Sequence, residues 1–283
     1  MRSLLIGSTS VIGQAIAARL ATLGEVRTAG RREADFPFDL ERSDNPPFDG
    51  GHFDTVVLVA AAFGGTSSEA LIQAEQVNAV GTLRACELAA QSGARHLILV
   101  SSVFAGFTAD DPHYNIYSLS KRHSEELAML FCKQREIALT ILRPSQVYDA
   151  AGACRKHQGL LYVIAETVRA GKTVQLYGNN DAQRNYLFLD DLAEIVKRVA
   201  QRTVVGRFDC VHPHSPRLSE IAEAAFAACA RSADIRFLRD KPDIADMPAM
   251  QADAQLHQAI DYWPATDIRT GLQLMQAHQE AQQ

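Results

Sequence analysis

The sequence predicts an α/β fold: a doubly wound parallel sheet with a smaller α/β C-terminal domain. Three features carry this expectation. Short apolar runs alternate with stretches of helical period through the first 144 residues. Those runs are continuous, as strands covered on both faces require. After Pro144 the rhythm slackens, and Gly, Pro and polar residues become denser.

Residues 4–6 form the first apolar run, which stops at Gly7; Ile12, Ile16, Leu20 and Leu23 then recur on one helical face. Gly24 supplies a helix stop, and residues 25–29 a second strand. Further strands are expected at 55–60, 96–100 and 138–142, the last ended by Arg143-Pro144, with helices at 68–91 and 117–134. Ser215-Pro216 predicts an N-cap followed by proline at the first helical position, with the helix running through 221–230. The expected division places 1–144 and 186–205 in the sheet domain, and 145–185 and 206–283 in the second. The polar tail from Gln276 is expected to fray.

A length of 283 residues corresponds to roughly two domains. The apolar share of 47% excludes disorder as the main state. Basic and acidic residues number 28 and 33, and the scattered Arg and Lys leave no footprint for nucleic acid. Cys86, Cys132, Cys154, Cys210 and Cys229 are odd in number and form no CxxC pair, so they are expected as free thiols in a reducing compartment. Cys210, His212 and His214 lie close together but lack a second ligand cluster, so no metal is expected. No apolar run reaches the roughly 18 residues of a membrane span. Gly7, Ser8, Thr9 and Ser10 interrupt the apolar start too early for a signal peptide. A cytoplasmic protein with no membrane partner is expected.

Gly7, Ser10 and Gly13 occupy the three positions of a G-x-x-G-x-x-G turn between a strand and a helix. Small residues let the backbone turn sharply and let a pyrophosphate approach the helix N-terminus. Gly7, Thr9, Ser10, Val11, Ile12 and Gly13 are therefore the expected cradle of a dinucleotide, and the first domain is expected as a Rossmann-type NAD(P)-binding domain. Ser10 places a hydroxymethyl where the pattern has glycine. The second strand ends in Gly30-Arg31-Arg32, with no acid before Glu33. An acid there grips a free ribose hydroxyl, whereas arginine suits a 2′-phosphate. Arg31 and Arg32 thus point to NADP(H), with NAD(H) as the alternative.

Tyr117 and Lys121 are four apart at a helix start and share one face. A free tyrosine is a poor base at neutral pH, and a nearby ammonium with the positive nicotinamide ring would lower its pKa. Tyr117 could then exchange a proton with an alcohol or sugar oxygen, while Lys121 hydrogen-bonds a ribose. Ser101-Ser102 end the 96–100 strand, where open parallel sheets bind ligands, so Ser102 is placed to hydrogen-bond the reacting oxygen.

Together these motifs resemble the extended short-chain dehydrogenase/reductases of the NAD-dependent epimerase/dehydratase family, which act largely on nucleotide sugars. The resemblance covers nearly the whole chain. It includes Gly7 to Gly13, Asp39-Leu40, Ala60-Ala61-Ala62, Asn78 to Thr82, Ser101-Ser102, Tyr117 with Lys121, and Leu142-Arg143-Pro144. It continues through Arg184-Asn185-Tyr186, Asp190 to Ala193, Tyr262-Trp263-Pro264 and Gly271-Leu272. The resemblance implies that Asp39, Leu40, Ala60, Ala61, Ala62 and Pro144 join the cofactor site, with Asp39 at the adenine. It implies Ser102, Tyr117, Lys121 and Asn78 as the catalytic set, with Asn78 supporting Lys121. Phe63, Gln146 and Arg184 would contact substrate, Arg184 at its diphosphate. A homodimer is implied, packed through helices 68–91 and 117–134.

The departures narrow the reaction. Val103 and Phe104 stand where the family's dehydratases carry an Asp-Glu pair, so dehydration is not expected. The link from Ser102 to Tyr117 is short, and Asp149 replaces a common glycine. The leading expectation is an NADPH-dependent reductase of a keto sugar on a nucleotide carrier. A nucleotide-sugar epimerase retaining NAD is the alternative, and a non-catalytic dinucleotide sensor a third reading.

Overall fold

The computed structural model describes residues 1–282. It comprises two compact units. The first contains Met1–Pro144, Ala193–Cys210 and Asp253–Tyr262; the second contains Ser145–Leu192, Val211–Ala252 and the chain from Trp263 onward.

The chain begins in the first unit with β1 (Arg2–Ile6), α1 (Val11–Leu20), β2 (Glu25–Gly30), β3 (Phe36–Pro37) and β4 (Thr55–Leu58). It continues with α2 (Ser68–Glu75), α3 (Gly81–Gln91), β5 (His96–Val100), α4 (Ile116–Arg135) and β6 (Ala138–Pro144). In the second unit follow β7 (Gln146–Tyr148), α5 (Gly159–Arg169), β8 (Val174–Tyr177) and β9 (Tyr186–Phe188). Helix α6 (Leu189–Arg202) leads back into the first unit, where β10 (Gly206–Cys210) lies. Next come α7 (Leu218–Ala228) and β11 (Ile235–Leu238) of the second unit, α8 (Ala254–Ile260) of the first, and α9 (Ile268–Glu280) of the second.

Seven parallel strands form the sheet of the first unit, in the order β10-β6-β5-β4-β1-β2-β3. The chain winds outward from β1 to β3, returns to β4 on the other side of β1, and winds outward again to β10. The crevice beyond the carboxyl ends of β1 and β4 is therefore the switch point at which such sheets bind ligands. Strands β4 and β5 are buried along their whole length, which is why their sequences TVVL and HLILV show no polar alternation. Each fully buried Leu, Ile or Val contributes roughly 1.5–3 kcal/mol, so these central strands hold the sheet in register.

The second unit contains two short parallel pairs, β11 with β8 and β7 with β9. Asp149 follows β7 and closes a short turn over Ala153–Lys156. Its Oδ1 accepts from the Cys154 N–H at 2.7 Å and from the Tyr162 hydroxyl at 2.7 Å, while Oδ2 accepts from the Ala153 N–H at 3.1 Å. The carboxylate in place of the family's glycine is thus a turn-capping group.

Several expectations change. Strand β10 joins the large sheet beside β6, although the expected division left 206–210 with the second domain. Its partner on β6, not local sequence, decides its place. The helix expected over 68–91 is split by a π-helical turn at Gln76–Val80. The N-cap of α7 is Arg217, not Ser215. Ser215 Oγ accepts instead from Asn185, the Pro216 carbonyl accepts from the Arg184 N–H, and Glu220 closes the helix start by accepting from the Arg217 N–H at 2.6 Å. Helix α9 continues through Gln276 to Glu280 rather than fraying. No helix among the described residues is long and apolar enough to cross a membrane.

His96 opens β5 almost fully buried, with Nε2 2.7 Å from Thr140 Oγ1 and no hydrogen-bond partner for Nδ1. The Thr140 hydroxyl donates to the Val204 carbonyl, so Nε2 carries the hydrogen of the His96–Thr140 bond and Nδ1 is the bare nitrogen. Burial lowers the His96 pKa to about 4 from the ordinary 6.5. Between these values the unfolded chain binds a proton that the folded chain does not, so stability falls as pH drops from 6.5 to 4. The full contribution is roughly 3 kcal/mol. Urea unfolding across this range is expected to show a shallower acid limb in His96→Gln; an unchanged slope would contradict the assignment.

Candidate active site

The crevice at the switch point is a cavity of about 610 Å³. Gly7 and Thr9 after β1, Arg31 and Arg32 after β2, Asp39 and Leu40 after β3, and Ala60, Ala61 and Ala62 after β4 all line it. Four separate strand ends therefore bring nine of the expected cofactor residues around one space. Ser10, Val11, Ile12 and Gly13 form the start of α1 at its edge.

The cradle has no room for side chains. Gly7 adopts φ +100°, and a Cβ there would lie 2.6 Å from the Ala60 nitrogen. A Cβ on Gly13 would lie 2.1 Å from the Gly7 carbonyl oxygen. Ser10 is the N-cap of α1: its hydroxyl accepts from the Gly13 N–H at 3.0 Å and donates to the Gly7 carbonyl at 2.9 Å. The serine in the glycine pattern thus ties the turn together. A helix N-terminus, a glycine cradle and a cavity lined from four strand ends fit a dinucleotide.

Glu41 also lines the cavity, and its Oε1 is 3.6 Å from Arg31 Nη1. The sequence reading missed this carboxylate, because the pairing joins residues ten apart across a strand and a loop.

Beyond Ala62 the site becomes aromatic. Phe63 stacks on the Tyr117 ring with centroids 4.8 Å apart, and Phe104 stands edge-on to the same ring at 6.2 Å. Tyr117 is thus flanked by hydrocarbon on the side of Phe104. Ser102 caps the short turn Val103–Gly106, its hydroxyl accepting from the Phe104 N–H at 3.3 Å. Asn115 caps α4, accepting from the N–H groups of Tyr117 and Ser118, and fixes the start of the helix that carries Tyr117 and Lys121.

Burial pushes the Tyr117 pKa up to about 12, and the Ser102 hydrogen bond opposes this only in part. The Lys121 ammonium turns to the Val100 carbonyl, donating at 2.9 Å. Burial lowers the Lys121 pKa to about 8, against a raising effect of Glu125. At neutral pH Tyr117 is therefore a phenol, and Lys121 is mostly an ammonium.

Asn78 sits in the π-helical turn, buried. Its amide donates to the Ala62 carbonyl at 2.7 Å and to Ser120 Oγ at 2.9 Å, and its oxygen accepts from the Ala62 N–H at 2.8 Å. It joins the cavity wall to the residue preceding Lys121, rather than bonding Lys121 itself. Turns of this kind are frequent at functional sites, because the extra residue re-aims a side chain.

The remaining expected residues lie elsewhere. Pro144 ends β6 opposite Cys210 of β10. In the second unit, Gln146 opens β7 opposite Tyr186, and its Oε1 is buried without a hydrogen-bond partner. Arg184 is buried, and its Nη1 donates to the Gln183 carbonyl at 2.7 Å.

The sequence profile of the NAD dependent epimerase/dehydratase family matches residues 3–208. UDP-glucuronic acid decarboxylase 1 of Arabidopsis thaliana is 25% identical over 215 residues, covering 71% of this chain and 48% of that protein. The chain thus spans about half the length of that curated relative. Among solved structures, UDP-N-acetylglucosamine 4-epimerase from Bacillus cereus superposes with a TM-score of 0.81 at 14% identity, covering 98% of this chain and 99% of that one. RMD from Pseudomonas aeruginosa complexed with NADPH superposes with a TM-score of 0.79 at 17% identity, covering 100% and 98%. Those likenesses carry the fold, and the profile carries the family. The chain belongs to the NAD-dependent epimerase/dehydratase family.

Proposed function

We propose that this chain reduces a keto group on a nucleotide-linked sugar, with NADP(H) as an exchangeable cofactor and Tyr117 as the acid. The observation that carries the reading is the placing of Tyr117, with Lys121 one turn further along α4, against Phe63, which directly follows the Ala60–Ala62 wall of the cavity. A reduced nicotinamide dinucleotide supplies, when bound, a hydride for the carbonyl carbon. Tyr117 donates its proton to the carbonyl oxygen, and the Ser102 hydroxyl donates a hydrogen bond to that oxygen. Lys121 offers an ammonium to the ribose of the cofactor. The glycine cradle takes the pyrophosphate, and Asp39 the adenine end. Val103 and Phe104 cannot move a proton, so the site is not built to eliminate water.

The nucleotide-sugar class is supported by the names of the Arabidopsis and Bacillus relatives, which are UDP-sugar enzymes. Arg184 is proposed for the diphosphate, to which its forked charge is suited. Arg31 and Arg32 support NADP(H), as does the NADPH in the Pseudomonas structure. Glu41 favours a second reading, because a carboxylate in the cavity suits a free ribose hydroxyl. That reading is an NAD-dependent nucleotide-sugar epimerase.

We also propose a homodimer. Leu71 and Ile72 on α2, Val80 in the π turn, and Met129 and Leu130 on α4 are apolar and exposed, Ile72 to 69% and Leu130 to 58%. A second copy covering these helices would remove that surface from water. Light scattering at micromolar concentration is expected to give twice the chain mass and to give the monomer mass for Ile72→Glu with Leu130→Glu. A monomeric unaltered protein would overturn the proposal.

Tyr117→Phe is expected to lower kcat for keto reduction by about 10²–10⁴-fold while NADPH affinity stays nearly unchanged. Full activity in this variant would remove Tyr117 from the acid role. Arg31→Asp is expected to shift the ratio of NADPH to NADH affinity toward NADH by at least about tenfold, measured by fluorescence titration. An unchanged ratio would contradict the 2′-phosphate role.

A further inference from the structure

The first unit buries a charge that the proposed reaction does not use. Glu125 lies on α4, four residues beyond Lys121, and is 1% exposed. The Ser101 hydroxyl donates to its Oε1 at 2.5 Å. Arg143 donates from Nε to Oε1 at 2.8 Å and from Nη2 to Oε2 at 2.6 Å. Arg207 on β10 places Nη1 3.9 Å from Oε2.

A carboxylate buried this deeply persists only when paired and hydrogen-bonded, and the two-pronged bond from Arg143 meets that requirement. An apolar cluster of equal volume would hold the elements together at least as well, so what the ion pair adds is direction. Each partner adjoins a residue of the site. Ser101 precedes Ser102 at the end of β5. Arg143 precedes Pro144 at the end of β6. Lys121 is one turn back on the same face of α4.

We propose that Glu125 is a positioning residue of this site: it fastens the Ser101–Ser102 end of β5 and the Arg143 end of β6 to α4, and its charge holds Lys121 as the ammonium. The functional part of this inference rests on reading Ser102 and Lys121 as members of the reacting set. The charged groups around the carboxylate are Arg143 on β6, Arg207 and Asp209 on β10, and Lys121 on its own helix; Ser101 on the β5 side is neutral. The two arginines carry the sign that would drive Lys121 to lose its proton. Glu125 is the group whose field favours the ammonium, against the burial that disfavours it.

The test is a titration of Lys121 itself. The chain has six lysines. Labelling them with ¹³C and assigning the Lys121 Cε resonance through Lys121→Arg gives its protonation against pH by NMR. The unaltered protein is expected to titrate near pH 8 at this site. Glu125→Gln is expected to lower that midpoint by about one unit or more, with far-ultraviolet circular dichroism unchanged. Glu125→Asp, which keeps the charge but withdraws it by one methylene, is expected to lower it by less. A Lys121 midpoint that stays in place in Glu125→Gln would overturn the proposal, since the carboxylate would then exert no field on the ammonium. Should Glu125→Gln not fold, an unmoved midpoint in Glu125→Asp would overturn it equally. The titration uses neither substrate nor cofactor. Failure of the proposed reduction shows up separately, as unaltered protein that does not turn over.

Discussion

No atom larger than hydrogen fits between the first turn of α1 and the end of β1. That close approach, of Gly13 onto the Gly7 carbonyl and of Gly7 onto Ala60, is the constraint from which the rest of the site follows. It brings the N-terminus of α1 to the crevice where the strand order reverses, a place where backbone N–H groups suit an anion. Ser10 holds the turn closed by bonding both glycines. With the turn fixed, Ala60 to Ala62 form the opposite wall. Asn78 then carries that wall across to Ser120 and hence to the helix of Tyr117 and Lys121.

Charge in this arrangement is governed by burial more than by neighbours. Burial beside Phe63 and Phe104 strengthens the hold of Tyr117 on its proton, and Ser102 only partly offsets that effect. Lys121 is pulled toward neutrality by the same burial and held charged by Glu125. A phenol that keeps its proton at neutral pH is suited to protonate a developing alkoxide.

What was legible in the sequence was what rests on local spacing. Gly7 and Gly13 follow from the need for a tight strand-to-helix turn, and Tyr117 with Lys121 from helical period. The buried strands β4 and β5 show as unbroken apolar runs. What was not legible depends on partners distant along the chain. The π-helical turn that aims Asn78 has no sequence spacing of its own, and the pairing of Glu41 with Arg31 joins two loops. Strand β10 was assigned to the wrong domain because its place is set by β6, more than sixty residues earlier. The Ser215 cap failed for the same reason, since Asn185 and Arg184 take the hydrogen bonds that would have formed it. Glu125 went unremarked because a glutamate on a helix looks like surface until Ser101 and Arg143 are seen to close over it.

The central claim is that the cradle holds an exchangeable NADP(H) that reduces a carbonyl, rather than a retained NAD that only carries a hydride between faces of a sugar. Identifying the nucleotide released when freshly purified protein is denatured tests this most directly. The account expects no stoichiometric NAD, with the emptied protein binding NADPH more tightly than NADH. One equivalent of NAD per chain would contradict it, and would make Glu41 rather than Arg31 the residue that selects the cofactor.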